Sequence, residues 1–335
     1  MKKFFFTAAI LLILILAAAV WQFSEFKKYS TRPIRPGGGE TTVVIPTGQG
    51  FSATLKTLQD AGLVDDPFRF KLAARMQEAD TRIKAGEYAL SFELSPIQLL
   101  DILVRGKVRL HRLTIPEGYN LTQIAHEVEV AGFGAGENFM EAATDVRLVE
   151  SMGIQAKTFE GYLFPDTYLF PRAASPIEII QTMVDKFHSV FTTAWKEQAT
   201  KLDMTVHETV TLASIIEKET GAAPERPLIS SVFHNRLSRG MRLESDPTVI
   251  YGIADFDGNL TRKHLNTITP YNTYRIQGLP PGPIASPGRE ALEAALFPAE
   301  TKYLFFVSKR DSTHQFSTNY RDHNRAVRKY QLRRR

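Results

Sequence analysis

The stretch His207–Gly221, HETVTLASIIEKETG, predicts the central helix of the fold. Thr205 stands just before it and Glu208 follows three residues later, which is a capping-box pattern. In such a box each side chain satisfies a free N–H group of the first helical turn. We expect Gly221 to end the helix in a left-handed conformation and Pro224 to prevent its continuation.

Two glutamates lie near the end of this predicted helix. Glu217 and Glu219 are two residues apart, so their side chains point to nearly opposite sides. At about 100° per residue, the neighbours on the two faces are Leu212, Ile215 and Ile216 for Glu219, and Val210, Ala213 and Ser214 for Glu217. A carboxyl group among apolar side chains loses hydration, so its pKa rises and it can carry a proton at neutral pH. Glu219 is therefore the candidate general acid; the alternative is that both glutamates are surface residues at the end of a core helix.

Composition limits the classes of protein to consider. The chain has 335 residues, of which 43% are hydrophobic and 23% charged, with a formal net charge of +5. The absence of cysteine excludes a disulfide framework, a thiolate metal site and a cysteine nucleophile. Six basic residues close the chain: Arg325, Arg328, Lys329, Arg333, Arg334 and Arg335. Such a tail is typical of a solvated helix end or of attraction to an anionic surface, and we expect no nucleic-acid partner.

The N-terminal region predicts a membrane anchor. Phe4–Phe23 contains no charged residue, and a helix of that length spans the roughly 30 Å of a bilayer core. We therefore expect a transmembrane helix over 4–23 with residues 1–3 as a cytoplasmic tip. Trp21 and Phe23 suit the membrane interface. A cleaved signal peptide with a processing site at Ala17–Ala19 is the alternative.

Residues 24–40 are predicted to form a linker, because Ser30–Glu40 is rich in proline and glycine. An internal repeat follows. The segment Val43–Gly48, VVIPTG, is echoed 70 residues later by Leu113–Gly118, LTIPEG. Each copy predicts a strand, a turn and a helix that ends near an Ala-Gly pair.

Between the two copies we expect a helix over Pro67–Met76, an extended segment over Gly86–Leu94 and a second helix over Pro96–Arg105. These elements predict a compact α+β module over residues 41–110. The module contains no concentration of catalytic residue types, so binding and simple spacing are both open roles.

The region 111–335 is expected to form a larger α+β domain. Its aromatic segment Phe159–Phe170 fits a core strand and turn better than a sugar-binding cleft. Arg242–Gly252, RLESDPTVIYG, predicts a turn followed by a strand, and Pro270–Ile284 predicts an irregular polar loop that walls a binding site. The other predicted elements are helices at Ile177–Glu197, Pro227–Leu237 and Glu290–Leu296, and a strand at Tyr303–Val307.

Several other chemistries do not fit. His207-Glu208 opens a zinc-protease pattern, but Thr211 occupies the position that needs the second histidine. The chain contains no Gly-x-Ser-x-Gly nucleophile elbow and no phosphate-binding glycine loop. We therefore expect no metal and no cofactor, and acid–base chemistry on one glutamate remains.

Three motifs, by their order and spacing along the chain, resemble those of a known protein family. They are ASIIEKET at Ala213–Thr220, SDPTVIYG at Ser245–Gly252 and YNTY with GLPPGPI at Tyr271–Ile284. With TIPEG, EGYLFPDTY and the terminal HxF and HN pairs, the chain resembles the YceG-like endolytic murein transglycosylases. One departure is Glu244, where similar sequences commonly have glutamine; an extra carboxylate there could raise the pKa of Glu219 or weaken sugar contacts.

The resemblance implies a single-pass inner-membrane protein with a periplasmic body, made of a LysM-like module and an α+β catalytic domain. It implies internal cleavage of peptidoglycan glycan strands with 1,6-anhydro-N-acetylmuramyl ends, and peptidoglycan synthases are candidate partners. The catalytic glutamate of the motif corresponds to Glu219. As substrate-binding residues we expect Asp246, Asn272 and Tyr274, followed by Tyr251 and Gln277.

Two other functions stay open at this point. A hydrolysing muramidase would need a second carboxylate, for which Asp246 and Glu244 are candidates. A non-catalytic scaffold that binds glycan at the membrane would explain the repeat module and the aromatic segments, but it would give an apolar-faced Glu219 no purpose.

Overall fold

The structure is a computed structural model that describes the backbone of residues 2–332 and the side chains of residues 6, 7 and 9–332. Within these residues the chain divides into two compact units. The first extends to His111 and includes Leu169–Ala173, and the second contains Arg112–Tyr168 and the chain from Ala174 onward. Both contain helices and short strands, which confirms the predicted mixed class. The last three arginines of the basic tail lie outside the described residues.

Helix α1 extends from Lys2 to Thr31. Its segment Ala9–Thr31 is the one helix in the described part of the chain that is long and apolar enough to cross a membrane. The large apolar side chains from Ile10 to Phe23 are exposed, as a lipid-facing helix requires. A signal sequence near an N-terminus has the same length and composition.

The segment 24–40 differs from the predicted linker. Helix α1 continues through Thr31, and Tyr29 is buried with its hydroxyl group donating to the Asp66 carbonyl oxygen at 3.1 Å. Phe26 and Ile34 also pack against the core of the first unit. Aromatic and apolar side chains thus fold this segment onto the unit, which a count of prolines and glycines does not reveal.

The first unit is built on an antiparallel pair of strands. Strand β1 (Glu40–Ile45) pairs with β2 (Gly86–Ser91). Between them lie α2 (Phe51–Asp60) and α3 (Pro67–Met76), and α4 (Pro96–Arg105) follows. The predicted bounds of α3 and α4 are confirmed. Their buried side chains form one core with those of the strands, including Leu58, Phe70, Tyr88, Leu99 and Leu103.

The internal repeat is confirmed as a structural repeat. Strand β3 (Leu110–Thr114) and helix α5 (Leu121–Val130) repeat the order of β1 and α2. Both helices end in the same way: Gly62 and Gly132 have φ of +73° and +79°. The next N–H group, of Leu63 or Phe133, then bonds back to the carbonyl oxygen five residues earlier. This closure places one apolar side chain of each copy in a core.

The second unit is mainly helical and surrounds one buried helix, α10 (Val206–Glu219), in which every residue from Thr209 to Ile216 is buried. The preceding elements are α6 (Gly136–Ala143), α7 (Val146–Ser151), α8 (Pro176–Val190) and α9 (Thr193–Lys201). Strand β4 (Thr167–Pro171) begins in this unit and ends in the first. The following helices are a 3-10 turn at Ala223–Glu225, α11 (Arg226–Ser238), α12 (Asp246–Tyr251), α13 (Arg262–Asn266) and α14 (Arg289–Leu296). The hairpin β5 (Phe305–Ser308) and β6 (His314–Ser317), helix α15 (Tyr320–Val327) and a π-helical turn at Arg328–Leu332 complete it.

Two predictions in this unit need correction, and a third is confirmed. The helix expected over Ile177–Glu197 is broken, because Phe191 leaves the helical conformation and Thr192 caps a new helix. The strand expected after Asp246 is helix α12, since Pro247 in its first turn is compatible with a helix start and burial of Thr248 and Val249 outweighs their β-propensity. The irregular loop is confirmed: no helix or strand occurs between α13 and α14.

Candidate active site

Glu219 is the last residue of α10, and the end of this helix differs from the prediction. The capping box of Thr205 and Glu208 is confirmed at the start. At the end, Thr220 turns extended with ψ of 113° and its hydroxyl group donates to the Ile216 carbonyl oxygen at 2.6 Å. Gly221 has no left-handed φ; instead, a Cβ atom there would approach the Ser312 carbonyl oxygen to 2.8 Å. The threonine hydroxyl satisfies the helix end, so the glycine serves close packing.

The Glu219 carboxyl group is held by Ser245. The serine hydroxyl donates to Oε1 of Glu219 at 2.6 Å. Ser245 is itself buried and fixed, because its N–H donates to the Thr273 hydroxyl at 2.9 Å and its carbonyl oxygen accepts from Thr248 at 2.7 Å. This hydroxyl group was missed by the sequence analysis, although it begins the SDPT motif.

The environment raises the pKa of Glu219. Burial is the main cause, the hydrogen bond from Ser245 opposes it, and the neighbouring charge of Asp246 raises the pKa further. The charges of His314 and Arg236 act in the lowering direction with smaller effect. A carboxylate at a helix C-terminus also faces the negative end of the helix dipole. The group is thus suited to hold a proton, which is what a general acid requires.

Asp246 and Tyr274 lie beside this carboxyl group. The Tyr274 hydroxyl donates to Asp246 Oδ1 at 2.7 Å. Burial, and then this hydrogen bond and the charge of Asp246, raise the pKa of Tyr274. Tyr274 therefore keeps its proton and holds Asp246 as a carboxylate acceptor at the first turn of α12.

Arg236 forms one wall of the site. It is buried, and its guanidinium group donates to the carbonyl oxygens of Leu304 at 2.7 Å and Leu243 at 2.9 Å. It also donates to Glu244 Oε2 at 3.0 Å and lies over the Phe305 ring at 5.1 Å. Glu244 is thus paired. Glu244 is not among the charges that shift the pKa of Glu219. One of the two effects expected from the sequence was that this glutamate, in place of the usual glutamine, raises that pKa, and the structure shows no such effect.

The cavity in front of Glu219 has a volume of about 320 Å³. Its walls are aromatic and charged, and consist of Glu219, Arg236, Leu243, Glu244, Asp246, Tyr274, Phe305, Phe306, Tyr320 and His323. Burial lowers the pKa of His323, so its ring is neutral, and it stacks on Phe305 with centroids 5.1 Å apart. Aromatic faces beside fixed polar groups are a surface on which a sugar ring can stack and bond.

The structure separates the other predicted substrate-binding residues. Asn272 is fully buried and its amide donates to the carbonyl oxygens of His264, Leu265 and Thr267. It shapes the loop beneath Tyr274. Gln277 is exposed and lines neither cavity described here. Tyr251 lies in a different cavity, where it bonds to Glu160.

Glu217 occupies the opposite side of α10, as its spacing predicts, but it is not at the surface. Its side chain is 8% exposed and pairs with Arg226 at 3.4 Å, and it accepts the N–H group of Gly288 at 3.1 Å. Arg226 also pairs with Glu117 and Glu290. Glu217 therefore ties α10 to the starts of α11 and α14. The interpretation of both glutamates as surface residues is wrong.

The model of the YceG-like family matches residues 43–329. This chain belongs to the YceG-like family. The match covers the YceG-like chain from β1 to the last helical turns, and it confirms the resemblance drawn from the motifs.

Curated relatives of this YceG-like chain carry a functional name. A protein of Bacillus subtilis named endolytic murein transglycosylase is 31% identical over 302 residues, covering 85% of this chain and 83% of the relative. A protein of the same name from Streptococcus pneumoniae is 32% identical over 321 residues, covering 85% of this chain and 57% of the relative. A solved yceG-like protein of Listeria monocytogenes is 34% identical with a TM-score of 0.60, covering 85% of this chain and 98% of that structure.

Proposed function

We propose that this protein is an endolytic murein transglycosylase, which cleaves the glycan strands of peptidoglycan internally. The observation that carries the proposal is the Glu219 carboxyl group, which lies at the edge of an aromatic cavity. Burial raises its pKa, and the Ser245 hydroxyl group donates to its Oε1 atom. Membership of a family with relatives of this name supports the choice of substrate.

In the proposed reaction, protonated Glu219 gives its proton to the glycosidic oxygen as the bond to C1 of the muramic acid breaks. Ser245 donates to Oε1, so Oε2 carries the acidic proton toward the substrate. The resulting carboxylate then takes the proton of the sugar's own 6-hydroxyl group while that oxygen bonds to C1. One product gains a hydroxyl group, the other ends in a 1,6-anhydro ring, and no water is consumed. Acid–base assistance of this kind contributes about 10²–10⁴-fold.

The other carboxylates have different roles in this proposal. Asp246 accepts from Tyr274 and Glu244 pairs with Arg236, so each is already held by a protein partner. The charge of Asp246 adds to the raised pKa of Glu219, of which burial is the main cause. The same negative charge would stabilise the positive charge that develops on the sugar in the transition state. A muramidase that uses Asp246 as its second carboxylate is the alternative that the products must decide.

The products give the test of this function. When purified murein is digested in water labelled with ¹⁸O, we expect chain ends that are lighter by one water than hydrolysed ends and that carry no label. Mass spectrometry of the released fragments measures both properties. Reducing ends that contain ¹⁸O would contradict the transglycosylase mechanism and would favour the two-carboxylate hydrolase.

We also propose that α1 anchors the protein in the inner membrane with the body in the periplasm, near the synthases that make glycan strands. The exposed apolar side chains from Ile10 to Phe23 support an anchor. We expect the full-length protein to stay with the membrane fraction after carbonate washing and to be degraded by protease added outside spheroplasts. As a separate proposal, the first unit is a LysM-like module that binds glycan. A soluble mature form that begins after residue 23 would contradict the anchor.

A further inference from the structure

A second buried carboxyl group lies in the second unit, away from Glu219. Glu160 is 5% exposed. Its Oε2 atom accepts from the Leu121 N–H group at 3.2 Å and from the Tyr251 hydroxyl at 3.0 Å. Its Oε1 atom is buried and has no hydrogen-bond partner among the residues that the structure describes. A buried acceptor without a donor lowers the stability of the folded protein. The proposed cleavage mechanism assigns no role to Glu160.

Glu160 lies on the wall of the largest cavity described here. The cavity has a volume of about 920 Å³. Its walls combine an aromatic pair, a proline-rich segment and few charges, and include Thr158, Tyr251, Tyr271, Pro281, Gly282 and Pro283. The rings of Tyr251 and Tyr271 are 4.8 Å apart. Burial raises the pKa of Glu160 to about 7, against smaller lowering effects of the hydrogen bonds from the Leu121 N–H group and the Tyr251 hydroxyl group.

This wall is held rigidly. His207, in the first turn of α10, bonds through Nδ1 to the Tyr162 hydroxyl at 2.9 Å and through Nε2 to the Pro281 carbonyl oxygen at 2.9 Å. The N–H group of Ile284 donates to the Ser214 hydroxyl at 3.0 Å. The proline-rich segment Pro281–Ile284 is thus fixed to α10 at both ends. Because its position is fixed, we regard the cavity beside it as preformed.

Two elements connect this cavity with the Glu219 cavity. Helix α12 carries Asp246 at its first residue and Tyr251 at its last, about 7–8 Å apart along the axis at ~1.5 Å per residue. The segment Tyr271–Tyr274 places one tyrosine in each cavity. His207 and Glu219 lie at opposite ends of α10, so the two cavities together extend along a helix of roughly 18 Å between them.

Their sizes explain why a second cavity is useful. The Glu219 cavity of 320 Å³ lies at the lower end of ligand-site volumes, which run from about 300 to 1,000 Å³. An enzyme that cuts within a strand must hold sugars beyond the cleaved bond, and binding energy from such remote parts can be used to orient the reacting centre. The Glu160 cavity is almost three times as large, at 920 Å³.

We infer that the cavity around Glu160 is a second carbohydrate subsite, which binds a sugar of the same glycan strand away from the bond that Glu219 cleaves; this inference rests on the proposed function. The Tyr271 ring offers a face for a sugar ring. Hydroxyl and acetamido N–H groups of the sugar are the donors that Glu160 lacks. Tyr251 is a positioning residue that holds the Glu160 carboxyl group.

The subsite can be tested by measuring glycan binding to a protein that does not cleave the strand. The host is full-length Glu219→Gln protein in detergent, and the probes are fluorescent, peptide-free glycan strands, one set short and one set long. Adding Tyr271→Ala or Glu160→Gln should weaken binding of long strands about tenfold, so the preference for long over short strands falls. Glu141→Gln is the control, because it removes an exposed carboxylate that lines neither cavity.

The outcomes distinguish the inference from its alternatives. Equal weakening of the binding of short and long strands would overturn the inference, because that pattern indicates a structural role for both residues. Unchanged binding in a Tyr271→Ala protein with unaltered thermal unfolding would also overturn it. A second probe set of peptide-bearing strands covers the remaining alternative: if the two variants weaken binding of that set alone, the cavity binds the stem peptide and the inference is overturned. If wild-type protein cleaves no strand of any length, the proposed function fails; if it cleaves without a length preference, only the subsite fails.

Discussion

Replacing Glu219 with glutamine is expected to lower kcat for murein cleavage at least about 100-fold. Glutamine keeps the size of the side chain and an oxygen that accepts from Ser245, but it has no proton to transfer. The measurement is the rate of soluble fragment release by purified protein. Thermal unfolding should show a folded protein, because the hydrogen bond described for the Glu219 carboxyl group comes from the neutral Ser245 hydroxyl group, so its replacement leaves no ion pair broken.

Glu217→Gln is the matched control, two residues away on the same helix. Its kcat should stay within a few-fold of wild type, because Glu217 contacts Arg226 and Gly288 and does not line the Glu219 cavity. Its free energy of unfolding should fall by about 1–2 kcal/mol, a modest loss because Arg226 keeps Glu117 and Glu290. An active Glu219→Gln protein, or equal loss of turnover in both variants, would contradict the assignment of the acid.

Local patterns predicted the framework of the site well. The capping box and the 3.6-residue period located α10 and the face that carries Glu219, because a buried helix must satisfy its own termini and fill its own core. The bounds of α3 and α4 were also predicted from local pattern, and in the structure Asp66 and Ser95 cap these helices directly before a proline. These features depend on interactions within a few residues, so the chain reveals them without tertiary context.

Features that depend on distant partners were missed. Thr248 and Val249 have the composition of a strand, yet burial in the second unit makes their segment a helix. Ser245 bonds to Glu219 across 26 positions of sequence and Glu160 bonds to Tyr251 across 91. Asn272 was expected on the substrate side because of its polarity, but its amide completes a turn instead. Nothing local in these stretches indicates which partner each polar group will find.

The proton on Glu219 should make the activity depend on pH. Activity requires the protonated form, so kcat/KM should fall as pH rises through the raised pKa of the free enzyme. Burial is the main cause of that shift and is unchanged by small substitutions nearby. The two largest adjustable contributions have opposite signs: Ser245 lowers the pKa and Asp246 raises it.

Ser245→Ala removes a donor that stabilises the carboxylate, so the alkaline limb of the pH profile should move to higher pH. Asp246→Asn removes a negative neighbour, so the alkaline limb should move to lower pH. The kcat value should also fall about tenfold, because a negative charge that stabilises the positive charge on the sugar is lost. The measurement is kcat/KM against pH for both variants and wild type. Shifts in the same direction would contradict Glu219 as the titrating group. A loss in Asp246→Asn as large as that in Glu219→Gln would instead indicate that the reaction depends equally on two carboxylates, because a nucleophile or base cannot be replaced by an amide.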